Sequence, residues 1–415
     1  MNRQSAPEIK PIDSLKTGFP ERNKNLYRIF SDEGVFKLEI VFPKAGYSFL
    51  DNKFHSLYGM DLLLSGTASK TAADIADEID QLGGYVFKAS DYYSSSITIF
   101  GMNENIQKLL EIVHDAYSNC MYDRKELDIY KSRKISELNI NLNKTSYLAN
   151  RSIHKLILGE AHPYSMSSSS ESINAVQQDD LLAFKENLKD AYFIFTGSEQ
   201  TQIENLLKLT GFNVQDTVMT LPSDESAPSL SINEELISKS GSTQNSIRFG
   251  KILPSRSDSD YFTLSILNLV LGGYFGSRLM KNIREEKGLT YGIHSSLTPF
   301  KGFSLFKISS ECNSLLTSQV KEEIIREIRQ LQVQPVEKEE LTVARNYLLG
   351  ALSRNFDGAF NISERLKSFI DLDTDKDYYN HYFKAINSIT PQQIQECANN
   401  YLDINTLKYC VSGEV

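Results

Sequence analysis

The chain repeats its own plan. From residue 35 to 156 the hydrophobic pattern reads strand, helix, helix, strand, helix, long helix, and from 246 to 356 the same order returns. In the first half VFKLEIVFPKAG (35–46) alternates and is rich in β-branched and aromatic residues, a strand running into a proline turn. KFHSLYGMDLLLSG (53–66) and TAADIADEIDQLGG (71–84) have apolar residues at helical spacing and stop at glycines. YSSSITIFG (93–101) is a strand, NIQKLLEIVHDAYSN (105–119) a helix, and Asp123 to Leu156 one long charged helical stretch. The second half offers SIRFGKILPS (246–255), DYFTLSILNLVLGG (260–273), GSRLMKNIREEKG (276–288), GFSLFKISSEC (302–312) and helices over 317–331 and 337–356.

A period this long excludes a solenoid of short units and predicts two similar domains. The predicted fold class is α/β in the broad sense (α+β): two duplicated domains, each a mostly antiparallel sheet covered by helices. The expected boundaries are 1–212 for the first domain, a Ser-, Pro- and acid-rich linker over 213–239, and 240–415 for the second. A chain of 415 residues can bury a full core in each domain without disulfides.

Charge and cysteine usage narrow the function classes. The net charge of −9 argues against a nucleic-acid surface, which needs clustered Lys and Arg. Cys120, Cys312, Cys397 and Cys410 are scattered, with no CxxC pair, and read as reduced thiols. No apolar h-region opens the sequence and no run of 18 apolar residues occurs, so a cytoplasmic protein without a membrane partner is expected. SMSSSSES (165–172) reads as a loop, and GGYFGS (272–277) lacks the lysine of a P-loop.

One block carries a resemblance. LGGYFGSRLMKNIREEKGLTYG (271–292) resembles the second-domain signature of the insulinase (pitrilysin, M16) metallopeptidases, in the short form related to mitochondrial processing peptidase. STQNSIRFG resembles the strand that opens that domain, and LGEAHPYS (158–165) the HPY segment of the first. The resemblance implies two α/β halves closing as a clamshell over a peptide chamber. It also implies an HxxEH helix in active members, with two histidines at i, i+4 holding zinc and the glutamate as base. Here that motif falls on LYGMD, with Leu57 and Asp61 at the histidine positions and Met60 at the glutamate position. Glu137, 76 positions after Asp61, matches the third ligand. An aliphatic group cannot ligate zinc and a thioether cannot accept a proton, so no metal is expected on this chain. The six histidines (55, 114, 154, 162, 294 and 381) include no pair at i, i+3 or i, i+4. GGYVFKASD (83–91) lacks the asparagine that the family tends to place on its substrate-receiving strand.

The second-domain pair of the family falls on Arg284 and Tyr291, seven apart. By resemblance, Tyr291 donates to the developing oxyanion of a peptide bond and Arg284 holds substrate or supports the tyrosine. The expected function is a non-zinc subunit of a heteromeric M16 metallopeptidase, inactive alone. It would act beside an HxxEH homologue that carries the zinc, on a peptide substrate. The alternative is a non-catalytic scaffold or peptide-binding protein, as a homodimer.

Overall fold

The structure is a computed structural model and describes residues 22–23, 25–214, 233–374 and 377–415. The first sheet contains β1 (Arg22–Asn23), β2 (Leu26–Phe30), β3 (Val35–Phe42), β4 (Tyr85–Ser90), β5 (Ser95–Met102) and β6 (Tyr192–Gly197). The second contains β7 (Glu234–Ser238), β8 (Gln244–Leu253), β9 (Thr290–Pro299), β10 (Ser304–Asn313) and β11 (Lys408–Gly413). Their orders are β1-β2-β6-β3-β5-β4 and β7-β11-β8-β10-β9. Leaving β1 aside, these are one topology used twice. In each, the first and last strands of the half pair in parallel (β2 with β6, β7 with β11), and every other pairing is antiparallel. The expected duplication and the α+β clamshell architecture are both present.

Three expectations need correction. Residues 234–238, assigned to the linker, form β7, because their alternating burial lets Leu236 and its neighbours pair along β11. Residues 215–232 of that stretch lie outside the described residues. The stretch from Asp123 to Leu156 is two helices, Arg124–Asn141 and Thr145–Leu158, broken at a run of asparagines and Lys144. Asparagine competes with the helical backbone for hydrogen bonds, which weakens the helix there. Ser169 caps a helix over Ser170–Ala175 in a capping box with Ser172, so half of the serine-rich stretch is not loop.

Alternation along the central strands sorts the core. Phe36, Leu38, Ile40 and Phe42 of β3 point into the first core, among Phe54, Met60, Ile97, Ile99 and Leu109. The opposite face of β3 presents Lys37, Glu39 and Val41. It is covered by the helix Ala359–Asp371 of the second half, whose Leu366 joins Tyr27, Val41, Tyr192 and Ile194. The reciprocal contact is made by the helix Thr145–Leu158 of the first half. Its Ala149, Ile153, Leu156 and Ile157 pack against Leu305 and Cys410 of the second sheet. Each sheet therefore receives a helix from the other half. His162 and Tyr164 of the HPY segment belong to this seam, where Tyr92, Phe300 and Phe303 stack around them. All four cysteines are buried as free thiols. Among the described residues no helix is long and apolar enough to cross a membrane.

Candidate functional site

Asn52 caps the helix Lys53–Asp61 by accepting from the Phe54 N–H, and this helix carries Leu57, Met60 and Asp61, the positions at which the resemblance puts the family's zinc motif. Met60 is buried in the first core and Leu57 packs at its margin. Asp61 ends the helix on the surface. Its carboxylate accepts from the Tyr130 hydroxyl and lies 3.7 Å from the Lys134 ammonium. The same ammonium is 3.4 Å from Glu137, which Arg133 approaches at 3.8 Å. Lys88 of β4 donates to the Asp61 carbonyl at 2.6 Å. Burial, then the bond to Asp61, pushes the Tyr130 phenol far above its usual range.

The structure thus brings Asp61 and Glu137 together, but across an ammonium. Lys134 sits one turn before Glu137 on the helix Arg124–Asn141 and supplies the positive charge between the two carboxylates. These residues do not fit a zinc ion. Two carboxylates already shared with a lysine leave no vacant donor set, and Leu57 and Met60 contribute none. Among the described residues no group of three or more His, Cys, Asp or Glu could hold a metal. His55 lies 3.9 Å from Asp180, away from this cluster. Writing the motif back is expected to fail while Lys134 remains. Leu57→His with Met60→Glu and Asp61→His should hold zinc weakly. Adding Lys134→Ala should tighten it at least tenfold, since a dication no longer faces a fixed ammonium. Equilibrium dialysis checks this; equal affinities would show that the lysine is no obstacle.

Arg284 and Tyr291 lie in the other half, with no hydrogen bond, ion pair or ring contact to that cluster among the described residues. Arg284 is on a π-helical turn, Met280–Glu286, which ends with the Lys287 N–H bonded to the Asn282 carbonyl at 3.1 Å. Its guanidinium lies 5.0 Å from the Phe275 ring centre, and that ring is itself 63 % exposed. Gly288, at φ +63°, lets the chain turn directly from this helix into β9.

Tyr291 is the second residue of β9, the edge strand. The ladder to β10 pairs Thr290 with Cys312 and Gly292 with Glu311, so Tyr291 is the extra residue of a β-bulge. Its ring is 86 % exposed. The hydroxyl of Thr290 ties the bulge down, lying 2.9 Å from the Gly292 carbonyl and 2.5 Å from that of Glu311. It also accepts from the Gly292 N–H at 3.2 Å and from Ser310 at 3.0 Å. The bulge thus holds a large amphipathic side chain out from the sheet edge into solvent.

Sequence reasoning missed Lys134, Phe275 and Thr290. Lys134 had a signal, its i, i+3 spacing to Glu137. Thr290 had none, because a bulge is decided by the register of two strands.

Comparison with known proteins agrees with this architecture. Residues 175–348 match the sequence model of the family described as Peptidase M16 inactive domain. An uncharacterized zinc protease of Bacillus subtilis, YmxG, is 22 % identical over 310 residues, covering 70 % of this chain and 71 % of that protein. Among solved structures, the M16 inactive domain from Pseudomonas fluorescens superposes with a TM-score of 0.83 at 20 % identity, over 94 % of this chain and 95 % of that one. Residues 175–348 thus carry the M16 inactive-domain sequence pattern, and the chain as a whole shares the fold of an M16 protein. A protease from Helicobacter pylori gives a TM-score of 0.81 at 14 % identity, over 95 % of this chain and all of the other. Within the family profile, the matched segment includes the π-turn, the bulge and the whole of β9 and β10.

Proposed function

We propose that this chain is the non-zinc half of a two-subunit peptidase. In this reading Arg284 and Tyr291 act on a peptide bond held at the zinc site of an HxxEH-bearing M16 partner. The observation that carries the proposal is the bulge. It projects a phenol almost wholly into solvent on an edge strand, seven residues after Arg284 on the π-helical turn that leads into that strand.

The chemistry follows from the groups. When water adds to a peptide carbonyl, negative charge grows on its oxygen. The Tyr291 hydroxyl donates a hydrogen bond to that oxygen, and the Arg284 fork donates to the oxygen or to a neighbouring substrate carbonyl. The partner's metal site supplies the activated water. The two sites stay complementary because the place equivalent to that metal site is filled here by Lys134 between Asp61 and Glu137. Peptides bind such edges as added strands, through backbone hydrogen bonds.

Reconstitution tests the proposal. The purified chain alone should leave an unstructured fluorogenic peptide uncut. Mixed with an HxxEH homologue encoded beside it, the pair should cleave the peptide at least a hundredfold faster than either chain. A homologue that works equally well without this chain would refute the proposal.

A further inference from the structure

The two helix-exchange contacts are built alike but balanced differently. On the first sheet Lys37 and Lys367, at the contact with the exchanged helix, each have an acid. Lys37 lies 2.7 Å from Glu39, and Lys367 lies 2.8 Å from Asp371 and 3.2 Å from Asp91. On the second sheet Arg248 is matched, by Glu311 at 2.6 Å and Asn150 at 2.8 Å. Lys307 of β10 and His154 of the helix Thr145–Leu158 feel its charge; Arg151 lies three residues before His154 on that helix, and Lys53, at the start of the helix Lys53–Asp61, repels both His154 and Arg151. Among the described residues none of these four reaches a carboxylate.

Their existing contacts are those of groups without a counter-charge. Lys307 donates to Nε2 of His154 at 2.9 Å, which requires a neutral ring. Burial, then Lys307, Lys53 and Arg248, hold the His154 pKa down at about 3. The Lys53 ammonium has only the rings of Tyr47 and Phe54, 5.9 and 5.8 Å away. Burial, then Arg151, lower its pKa to about 8, and burial with Arg248 lowers that of Lys307. On the neighbouring strand His294, exposed and opposite Ser309, faces the same Arg248, Glu311 and Lys307. Arg151 also borders a cleft with Glu160 and Glu235, where Lys155 takes Glu160 and Ser152 takes Glu235.

We propose that Lys53, Lys307 and Arg151, with His154 holding the Lys307 ammonium in place, form a subsite for a carboxylate of the substrate peptide. Half-buried cations without a counter-charge are costly, and a bound anion removes that cost. The position suits a peptide. Lys307 pairs with Ser296 of β9, five residues beyond Tyr291, so the subsite lies on the order of 15 Å along the strand from the phenol. That distance is four to five residues of extended chain. The inference rests on the reading of this chain as a peptide-handling subunit and adds to it a preference for acidic peptides.

Binding to the full isolated chain tests it without any partner. Two pairs of labelled decapeptides serve as probes: one pair differs by a single Glu against Gln, the other by a free against an amidated C-terminus. The carboxylate member of at least one pair is expected to bind about tenfold tighter at low salt, and which pair responds identifies the source of the carboxylate. The preference should vanish in 1 M salt, where charge is screened within about 3 Å. It should vanish also in Lys53→Gln with Lys307→Gln, with affinity for the neutral peptides kept within twofold. Equal affinity within both pairs of wild-type chain overturns the subsite whether or not the variant folds. So does a preference that survives the double substitution, or inorganic phosphate competing as strongly as the acidic peptide. Failure to complement a zinc subunit sinks the proposed function and leaves this measurement standing; equal affinities sink only the subsite.

Discussion

Tyr291→Phe in the reconstituted pair is expected to lower kcat about a hundredfold, with little change in KM. Removing one donor to a developing oxyanion costs about 3 kcal/mol in the transition state and little in the ground state. The ring is 86 % exposed, so the melting temperature of the isolated chain should not move. That separation makes the measurement decisive: an equal fall in stability and rate would point to misfolding. Thr290→Val is the natural companion. It keeps the shape of the clasp but removes the oxygen shared with Gly292, Glu311 and Ser310. A tyrosine that must be aimed should lose part of its rate there too, and a tyrosine that merely fills space should not. An unchanged kcat for Tyr291→Phe would remove the phenol from the chemistry.

The second large effect concerns stability. Glu39→Met is expected to cost about 3 kcal/mol or more, read as a lower midpoint in urea. Lys37 and Glu39 lie side by side on the face of β3 that the helix Ala359–Asp371 covers, and both are almost fully buried. Their 2.7 Å approach is an ion pair rather than an aligned hydrogen bond; the Lys37 ammonium donates instead to the Ser363 hydroxyl at 2.9 Å. With Glu39 gone, the nearest acid is Glu364 at 3.6 Å, largely in water. The double substitution Lys37→Met, Glu39→Met should recover most of the loss, since neither charge is then stranded. If the single and double variants are equally unstable, packing at this face and not charge sets the cost.

Much of this molecule was legible from residue patterns, and the exceptions share a cause. The strands over 35–42, 95–102, 244–253 and 304–313 follow from alternation, and the helices over 72–81, 106–118 and 317–333 from amphipathic spacing and caps such as the Thr71–Asp74 box. Asp61, Glu137, Arg284 and Tyr291 were singled out by the family resemblance, and Asp61 and Glu137 share the Lys134 ammonium. The docking of the helix Ala359–Asp371 on the first sheet and the strand β7 were not legible. Each depends on a partner more than a hundred positions away. Local pattern states that a segment is amphipathic; it does not state whose sheet will cover the apolar side. The Tyr291 bulge is the same lesson at the scale of one residue, because the family resemblance singled out the tyrosine but only pairing with β10 gave its direction.

The exchanged helices have a further consequence for how such a chain comes into being on the ribosome. The outer face of the first sheet, with its ion pair and its apolar neighbours, has no cover until residues 359–371 have been synthesised. For most of translation the nascent first half therefore displays a surface that chaperones and proteases recognise. Cutting the gene between the halves would yield two fragments, each with one bare sheet, that become soluble only by finding each other.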